Sequence, residues 1–266
     1  MSVEDTWGPL TLPSPGVAPA TGVCHLWLAR TAGAARYQGL LGADEVAAAR
    51  RFRVESARDA FVASRAAQRL VLGRYLGRRP ESVVITRDCR HCGGDHGRPY
   101  VAGAPVDFSV SHSAGWLILA VVGDGLVGVD LERVTGTRAV DDLADRVLGP
   151  AEQERFMVVP RQDRAAWFIW AWARKEAALK LTGHGIVGPL SSLDVVGSTA
   201  VASQQPAGWP IEPIHLRDVP AGPDLRAALA TTVPLTGVLA CGPALALADG
   251  AGPGGNAVGL ADIESA

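Results

Sequence analysis

Apolar residues in the first half of the chain occur either in alternation with polar ones or at helical spacing. The segment VCHLWLAR at 23–30 has alternating apolar positions and predicts a strand, as does SVVITRD at 82–88. Helical spacing begins at Ala43 and predicts a first helix there. A longer helix is predicted over about 56–76, and Gly77 is the residue expected just past its end.

In the second half, residues 106–134 predict a hairpin in which Gly123–Asp124–Gly125 forms the turn between two strands. Helical spacing then extends over about 150–181. Beyond Pro189, Pro and Gly interrupt the pattern often, which predicts short strands. Residues 250–266 are expected to form a flexible tail.

Two long stretches of the chain resemble each other. RRFRVESARDAFVASRAAQRLVLGRYLG at 50–77 and ERFMVVPRQDRAAWFIWAWARKEAALKLTG at 154–183 share an Arg-Phe pair near the start and a long helical pattern that ends at Gly. Any two amphipathic helices share some of this pattern, but the repeat favours an α+β fold of two similar halves with a site in the cleft between them. We expect an irregular segment at 1–22, an N-terminal lobe at 23–125 and a C-terminal lobe at 126–249.

Composition limits the classes of function. A hydrophobic content of 48%, a charged content of 20% and a net charge of -2 are typical of a soluble globular protein and argue against nucleic acid as the main partner. The N-terminal MSVEDTWGPL lacks the apolar core of a secretion signal, and the longest strongly apolar run, WLILAVV at 116–122, is too short to span a bilayer. We expect a cytoplasmic protein without membrane contact.

Lysine is rare here, since only Lys175 and Lys180 occur among the 25 basic residues. Arginine is a planar fork that keeps its proton, whereas lysine is a compact point charge whose pKa moves on desolvation. The two positions are therefore candidates for phosphate binding or proton transfer. The alternative is that a codon bias left two lysines by chance.

A pair of acidic residues ends the apolar segment LVGVDLERV. Alternation places Gly128, Asp130 and Glu132 on one face of a strand, with the two carboxylates about 7 Å apart. A cation would relieve their repulsion, and Mg²⁺ or Mn²⁺ prefers such oxygen ligands. Gly128 leaves room for another group on that face. The alternative is an ordinary strand end in solvent.

The segment WARKEAALKLTG places Trp172, Glu176 and Lys180 along one face of a helix, because residues four apart stack on each other. A separate apolar face, expected in the core, consists of Trp170, Ala173, Ala177 and Leu181. An ordinary surface pair of Glu and Lys would have the same spacing.

The segment FSVSHS is rich in hydroxyls for a strand. Alternation places Ser109, Ser111 and Ser113 on one face and His112 on the other. Hydroxyls and an imidazole close to Arg98 would suit phosphate oxygens. The alternative for His112 is a structural residue.

In this order and with these gaps, FSVSHS, GVDLE and WARKEAALK resemble the three signature blocks of the Sfp-type 4'-phosphopantetheinyl transferases. The resemblance covers about 43–196. It implies a monomer of two lobes related by pseudo-two-fold symmetry, each a small antiparallel sheet packed on a long helix, with the metal site in the C-terminal lobe. It also implies transfer of the 4'-phosphopantetheine arm of coenzyme A to a serine of an apo acyl or peptidyl carrier protein of fatty-acid, polyketide or peptide synthesis, with release of adenosine 3',5'-bisphosphate.

The resemblance assigns roles to residues of the second and third blocks. Asp130, Glu132 and Glu176 would hold Mg²⁺, or Mn²⁺, between strand and helix. Glu176 is also the candidate base for the serine proton. Lys180 would stabilise or protonate the leaving bisphosphate, and Lys175 would neutralise phosphate nearby.

Coenzyme A would be held by the first block and by basic residues near it. Ser111 and His112 match the block that contacts the 3'-phosphate and ribose side, and Arg98 stands where the family has a basic residue. Three arginines on one face of the predicted helix at 56–76 are further candidates for the 3'-phosphate: Arg58, Arg65 and Arg69. An arginine-rich solvated helix would show the same pattern.

Two other functions use the same residues. A metal-dependent nucleotide pyrophosphohydrolase would need the same carboxylates and lysine but would transfer to water. A catalytically silent coenzyme A binder would keep the ligand without turnover. The carboxylates and both lysines are present, which favours an enzyme.

The segment CRHCGGDHG lies outside the three blocks. Cys89 and Cys92, with His91 and His96, have a spacing that could hold zinc, but a second pair of ligands at finger-like spacing is missing. We favour reduced thiols in a loop.

Overall fold

The computed structural model describes residues 12–89, 93–94, 97–134, 137–183, 190–204, 209–210 and 213–249. These residues form two sheets, each packed against one long helix, which confirms the predicted α+β class. The helices are α1 (Ala43–Ala49), α2 (Glu55–Leu76), α3 (Thr137–Val147), α4 (Pro150–Val158) and α5 (Arg164–Thr182). The strands are β1 (Val23–Arg30), β2 (Asp107–Ser113), β3 (Trp116–Val122), β4 (Val127–Arg133), β5 (Leu193–Asp194), β6 (Thr199–Ala202), β7 (Ile214–Val219), β8 (Leu225–Thr231) and β9 (Gly237–Pro243).

The first sheet has the strand order β2-β3-β1-β9, in which β1 and β9 are parallel and the other neighbours are antiparallel. Helix α2 packs its Val62, Ala66 and Leu70 into the core on one side of this sheet. The helix ends where predicted, because Gly77 adopts the left-handed conformation, with a φ of 60°, that favours glycine. The predictions of β1 and of the helix beginning at Ala43 are also confirmed.

The second sheet is antiparallel throughout, with the order β4-β8-β7-β6-β5. Helix α5 crosses β4 and β8. It buries Ala173, Ala177 and Leu181 of the predicted apolar face, and the small side chains of the two alanines let the helix backbone approach the sheet.

The two sheets meet where β2 lies beside β4, and each of these strands is an edge strand of its own sheet. An edge strand has backbone N–H groups that need partners. Side-chain oxygens of β2 accept N–H groups of β4, and in each pair the donor lies 20 residues after the acceptor. These pairs, which we call the junction ladder, are Asp107 with Val127 at 2.7 Å, Ser109 with Val129 at 3.1 Å and Ser113 with Arg133 at 3.2 Å. The hydroxyl-rich face of β2 therefore serves in large part to join the sheets.

The prediction of a hairpin with a turn at Gly123–Asp124–Gly125 is wrong. The hairpin is formed by β2 and β3, and its turn is Ala114–Gly115. Both turn residues have a positive φ, 51° and 81°, which matches the twist of a two-residue hairpin. The expected turn instead carries the chain from the first sheet to the second.

Two other secondary-structure predictions are wrong. Residues 82–88 form no strand and contribute one isolated bridge, between Thr86 and Tyr100. The predicted helix over 150–181 is divided into α4 and α5, since Pro160 lacks the N–H that a continuing helix needs.

The C-terminal lobe is shorter than the range 126–249. Strand β9 pairs with β1, and the short 3-10 helix Ala244–Asp249 packs on α2, so both belong to the first lobe. The first sheet is therefore mixed rather than purely antiparallel. The pseudo-two-fold symmetry of the lobes stays a prediction. No helix in the described part of the chain is long and apolar enough to cross a membrane.

Candidate active site at the junction of the two sheets

A group of polar side chains meets where α5 lies against β4 beside β2. Gly128 allows this approach, because a Cβ atom there would lie only 1.9 Å from the carbonyl oxygen of Ala177. The room that Gly128 was expected to leave is thus filled by α5 itself. Asp130 and Glu132, on the same face of β4, are brought against the helix face that carries Glu176.

Ser111, Asp130 and Lys180 form a closed triangle of hydrogen bonds. The ammonium group of Lys180 lies 2.6 Å from Asp130 Oδ1 and 2.8 Å from Ser111 Oγ. The hydroxyl of Ser111 lies 2.8 Å from the same Asp130 Oδ1. Asp130 is only 2% exposed, so this charge is compensated within the protein.

Two carboxylate oxygens of the site are buried without a hydrogen bond to any of the described residues: Asp130 Oδ2 and Glu176 Oε1. Burial, followed by the charge of Asp130, raises the pKa of the Glu176 carboxyl, and Lys180 opposes this effect. Buried oxygens of this kind normally have a donor or a cation beside them. Their arrangement therefore fits an added cation.

Glu132 lies at the more exposed end of β4. We call Asp130, Glu132 and Glu176 together the acidic group. Burial and the charge of Asp130 raise the pKa of the Glu132 carboxyl, and a hydrogen bond from the side chain of Trp172 partly offsets this. The contact confirms that Trp172, Glu176 and Lys180 share the helix face turned toward β4.

The three carboxylates are not grouped as a finished metal cage. Within the part of the chain that the structure describes, no three Asp, Glu, His or Cys side chains are arranged to hold a metal ion. The cation that Asp130 Oδ1 contacts is the ammonium group of Lys180. The assignment of Asp130, Glu132 and Glu176 as metal ligands stays a prediction.

Lys175 lies on the opposite side of α5 from this group. Its side chain is fully buried, its ammonium group pairs with Glu152 at 2.7 Å, and it donates to the backbone carbonyls of Leu190 and Leu193. A side chain enclosed in this way has no path to a phosphate. This placement corrects the expectation that Lys175 neutralises phosphate.

A cluster of basic side chains surrounds Glu45, which lies in the first turn of α1 and accepts the N–H of Gly42. Its carboxylate lies 2.8 Å from Arg69, 3.6 Å from Arg65 and 3.8 Å from Arg87. Three guanidinium groups around one carboxylate leave an excess of positive charge, which we call the arginine cluster. Such a cluster suits a phosphate group.

The sequence reasoning missed Arg87 and Glu45. Arg87 lay in a segment predicted as a strand, and no local spacing relates it to α2. Arg58, in contrast, does not join the cluster, because its side chain is 41% exposed and approaches Glu55 at 3.8 Å.

His112, on β2, is influenced electrostatically by both the arginine cluster and the acidic group. Loss of hydration, then the positive charges of Lys180 and Arg65, lower the pKa of its imidazole, and Asp130 opposes them. His112 itself is exposed on β2. The pKa of its imidazole therefore responds to charges of both groups.

Arg98 lies at the junction of the sheets. Its guanidinium group forms a two-pronged pair with Asp107 and donates to the carbonyl of Val127 at 3.0 Å. Its stem packs close to Gly183. Arg98 therefore joins the two lobes, and its contact with coenzyme A stays a prediction.

Of the candidate zinc ligands, Cys89 is buried, whereas Cys92, His91 and His96 lie outside the described residues.

Comparison with known proteins adds a family relationship. A family model described as the 4'-phosphopantetheinyl transferase superfamily matches residues 126–214, a range that includes Asp130, Glu132, Glu176 and Lys180. The 4'-phosphopantetheinyl transferase HetI of Nostoc sp. is 32% identical over 185 residues, which cover 68% of this chain and 70% of HetI.

Two more distant similarities are found. A putative 4'-phosphopantetheinyl transferase of Synechocystis sp., slr0495, is 29% identical over 160 residues, which cover 59% of this chain and 63% of that protein. The crystal structure of Thermotoga maritima holo-acyl-carrier-protein synthase, AcpS, matches 40% of this chain and 61% of its own, at 22% identity and with a TM-score of 0.28.

Proposed function

Because the chain belongs to the 4'-phosphopantetheinyl transferase superfamily, we propose that it transfers the 4'-phosphopantetheine arm of coenzyme A to a serine hydroxyl of an apo acyl or peptidyl carrier protein. The other product is adenosine 3',5'-bisphosphate. The observation that carries this proposal is the meeting of Asp130, Glu176 and Lys180, together with an arginine cluster whose Arg65 acts, as Lys180 does, on the pKa of His112. Two separate sets of cationic side chains fit a substrate that carries phosphate at more than one point.

Mg²⁺ fits the acidic group on the chemistry of the donor oxygens. Asp130, Glu132 and Glu176 would hold it, since the buried Asp130 Oδ2 and Glu176 Oε1 accept no hydrogen bond within the described part of the chain. When bound, Mg²⁺ would neutralise negative charge on the pyrophosphate of coenzyme A.

The protein groups can move the proton and receive the leaving group. The carrier serine oxygen forms a bond to the phosphorus that carries the pantetheine arm, and the bond from that phosphorus to the bridging oxygen breaks. Glu176 accepts the serine proton, a role for which its raised pKa suits it. Lys180 stabilises the charge on the departing bisphosphate oxygen.

The arginine cluster would anchor the adenosine end of coenzyme A. Arg65, Arg69 and Arg87 would bind the 3'-phosphate, and the carboxylate of Glu45 holds them in place while no phosphate is bound. Arg87 is thus added to the arginines expected to bind the 3'-phosphate. Arg58, which was also expected to bind it, lies outside the arginine cluster.

The proposal is tested by intact mass spectrometry of an apo carrier protein incubated with this protein, coenzyme A and Mg²⁺. We expect the carrier to gain the mass of one phosphopantetheine, and EDTA to prevent the gain. A panel of acyl and peptidyl carriers, each with its acceptor serine replaced by alanine as a control, identifies the carrier class.

Two outcomes would contradict the proposal. Cleavage of coenzyme A with no change in any carrier would indicate a pyrophosphohydrolase. Binding of coenzyme A with neither cleavage nor transfer would indicate a silent binder.

A further inference from the structure

Ser111 differs from its neighbours on the hydroxyl face of β2. Ser109 and Ser113 accept N–H groups of the β4 backbone as members of the junction ladder. Ser111 instead contacts two side chains, Asp130 and Lys180, and is only 7% exposed. Ser109 and Ser113 thus bind the β4 backbone, whereas Ser111, on the same strand face, binds charged side chains.

The hydrogen bonds of Ser111 have only one possible direction. An ammonium group can only donate and a carboxylate can only accept, so the hydroxyl accepts from Lys180 and gives its single proton to Asp130. No proton is left for a phosphate oxygen, which also needs a donor. Ser111 therefore cannot make these contacts and bind phosphate as a donor at the same time.

The direction of these bonds also decides which oxygen of Asp130 is available. Ser111 and Lys180 both donate to Oδ1, and Oδ2 is the buried oxygen without a hydrogen bond. The triangle fixes the orientation of the Asp130 carboxylate, so that Oδ1 faces Ser111 and Lys180 and Oδ2 faces away from them. It also holds the Lys180 ammonium group at one point above β4.

We propose that Ser111 is a positioning residue that orients Asp130 and Lys180, and that it does not hold the 3'-phosphate or ribose of coenzyme A as the family resemblance implies. Its catalytic significance rests on the proposed transfer reaction. Its positioning effect on Lys180 is a property of the protein alone.

The first test therefore uses the full-length protein without metal or substrate. Because the chain has only Lys175 and Lys180, growth on ¹³C-lysine gives two side-chain signals at the carbon next to the ammonium group, and Lys180→Arg assigns them. We expect Ser111→Ala to shift the Lys180 signal and leave the Lys175 signal in place. The control Ser113→Ala removes a hydroxyl from the same strand face and should shift neither.

The second test measures kinetics with coenzyme A and with 3'-dephospho-coenzyme A. Residues that orient a metal ligand typically change metal affinity or activity by about 10- to 100-fold when altered. We expect Ser111→Ala to lower kcat by that range, to leave KM for coenzyme A within about twofold and to keep the preference for coenzyme A over the dephospho form. Ser111→Thr, which retains the hydroxyl, should recover most of the rate.

Several results would overturn the proposal. An unmoved Lys180 signal in Ser111→Ala would show that the hydroxyl does not position this lysine. A raised KM with loss of the preference for the 3'-phosphate would show that Ser111 binds coenzyme A directly. If the wild-type protein modifies no carrier, the proposed function fails, and the lysine signals still decide the positioning role.

Discussion

The buried ammonium group of Lys175 lies 2.7 Å from the carboxylate of Glu152. The same carboxylate accepts the N–H of Gly149 at the start of α4 and the N–H of Val195 beyond β5. One ion pair thus ties α5 to two other parts of the second lobe. Lys175 immediately precedes Glu176 in the sequence, but its side chain lies on the opposite side of α5.

Removing one member of this pair should destabilise the protein. We expect Lys175→Ala to lower the free energy of unfolding by about 3–5 kcal/mol, because it leaves a buried carboxylate without its partner. Urea denaturation measures the loss. The double variant Lys175→Met with Glu152→Leu should lose less, since no unpaired charge remains. A stable Lys175→Ala protein with a raised KM for coenzyme A would restore the phosphate-binding role.

Lys180→Arg should lose much more activity than a conservative change normally does. The triangle with Ser111 and Asp130 suits a compact ammonium group, whereas a guanidinium group is planar and longer. We expect kcat to fall by at least about tenfold, with the melting temperature little changed. Full activity in this variant would mean that any cation serves at position 180.

Glu176→Gln should abolish transfer and change how stability depends on pH. Burial raises the folded-state pKa of Glu176, so its contribution to stability is present below 4.5, the ordinary value, and is lost as the pH rises through the raised pKa. In metal-free protein, the Gln variant should therefore become more stable than the wild type as the pH rises through this window. Chemical denaturation at several pH values measures the difference, and a constant difference would contradict the raised pKa.

Mg²⁺ should then stabilise the wild type selectively. At pH values above the raised pKa of Glu176, added Mg²⁺ should raise the melting temperature of the wild type and have little effect on Asp130→Asn or Glu176→Gln. Equal shifts in all three proteins would place the metal elsewhere.

Arg69→Ala and Arg58→Ala should separate the arginine cluster from the rest of α2. Arg69 lies 2.8 Å from Glu45 within the cluster, whereas Arg58 is 41% exposed and approaches Glu55 instead. We expect Arg69→Ala to raise KM for coenzyme A by about tenfold, the effect of losing one charged hydrogen bond, and to leave KM for 3'-dephospho-coenzyme A nearly unchanged. Arg58→Ala is the matched control, and an equal effect of both would place the 3'-phosphate nearer the exposed part of the helix.

Features that depend on local periodicity could be predicted from the sequence. The shared face of Asp130 and Glu132 follows from strand alternation, and the shared face of Glu176 and Lys180 follows from helical spacing. Both are confirmed by contacts between β4 and α5.

Features that depend on distant pairing could not be predicted in this way. The pairing of Glu45 with Arg87, and the burial of Lys175 against Glu152, join segments with no common local pattern. The serines of β2 show the same difficulty, because a hydroxyl that accepts a backbone N–H and one that orients Asp130 look alike in sequence.

The return of β9 to the first sheet makes the second lobe an insertion within the first. The insertion begins and ends at one place, since Leu126 and Thr232 are hydrogen-bonded to each other. During synthesis, β4 to β8 emerge from the ribosome before β9 does, so the inserted lobe has all its strands while β1 has β3 beside it but not yet β9. The lobe that begins first along the chain is therefore the last to have all its strands.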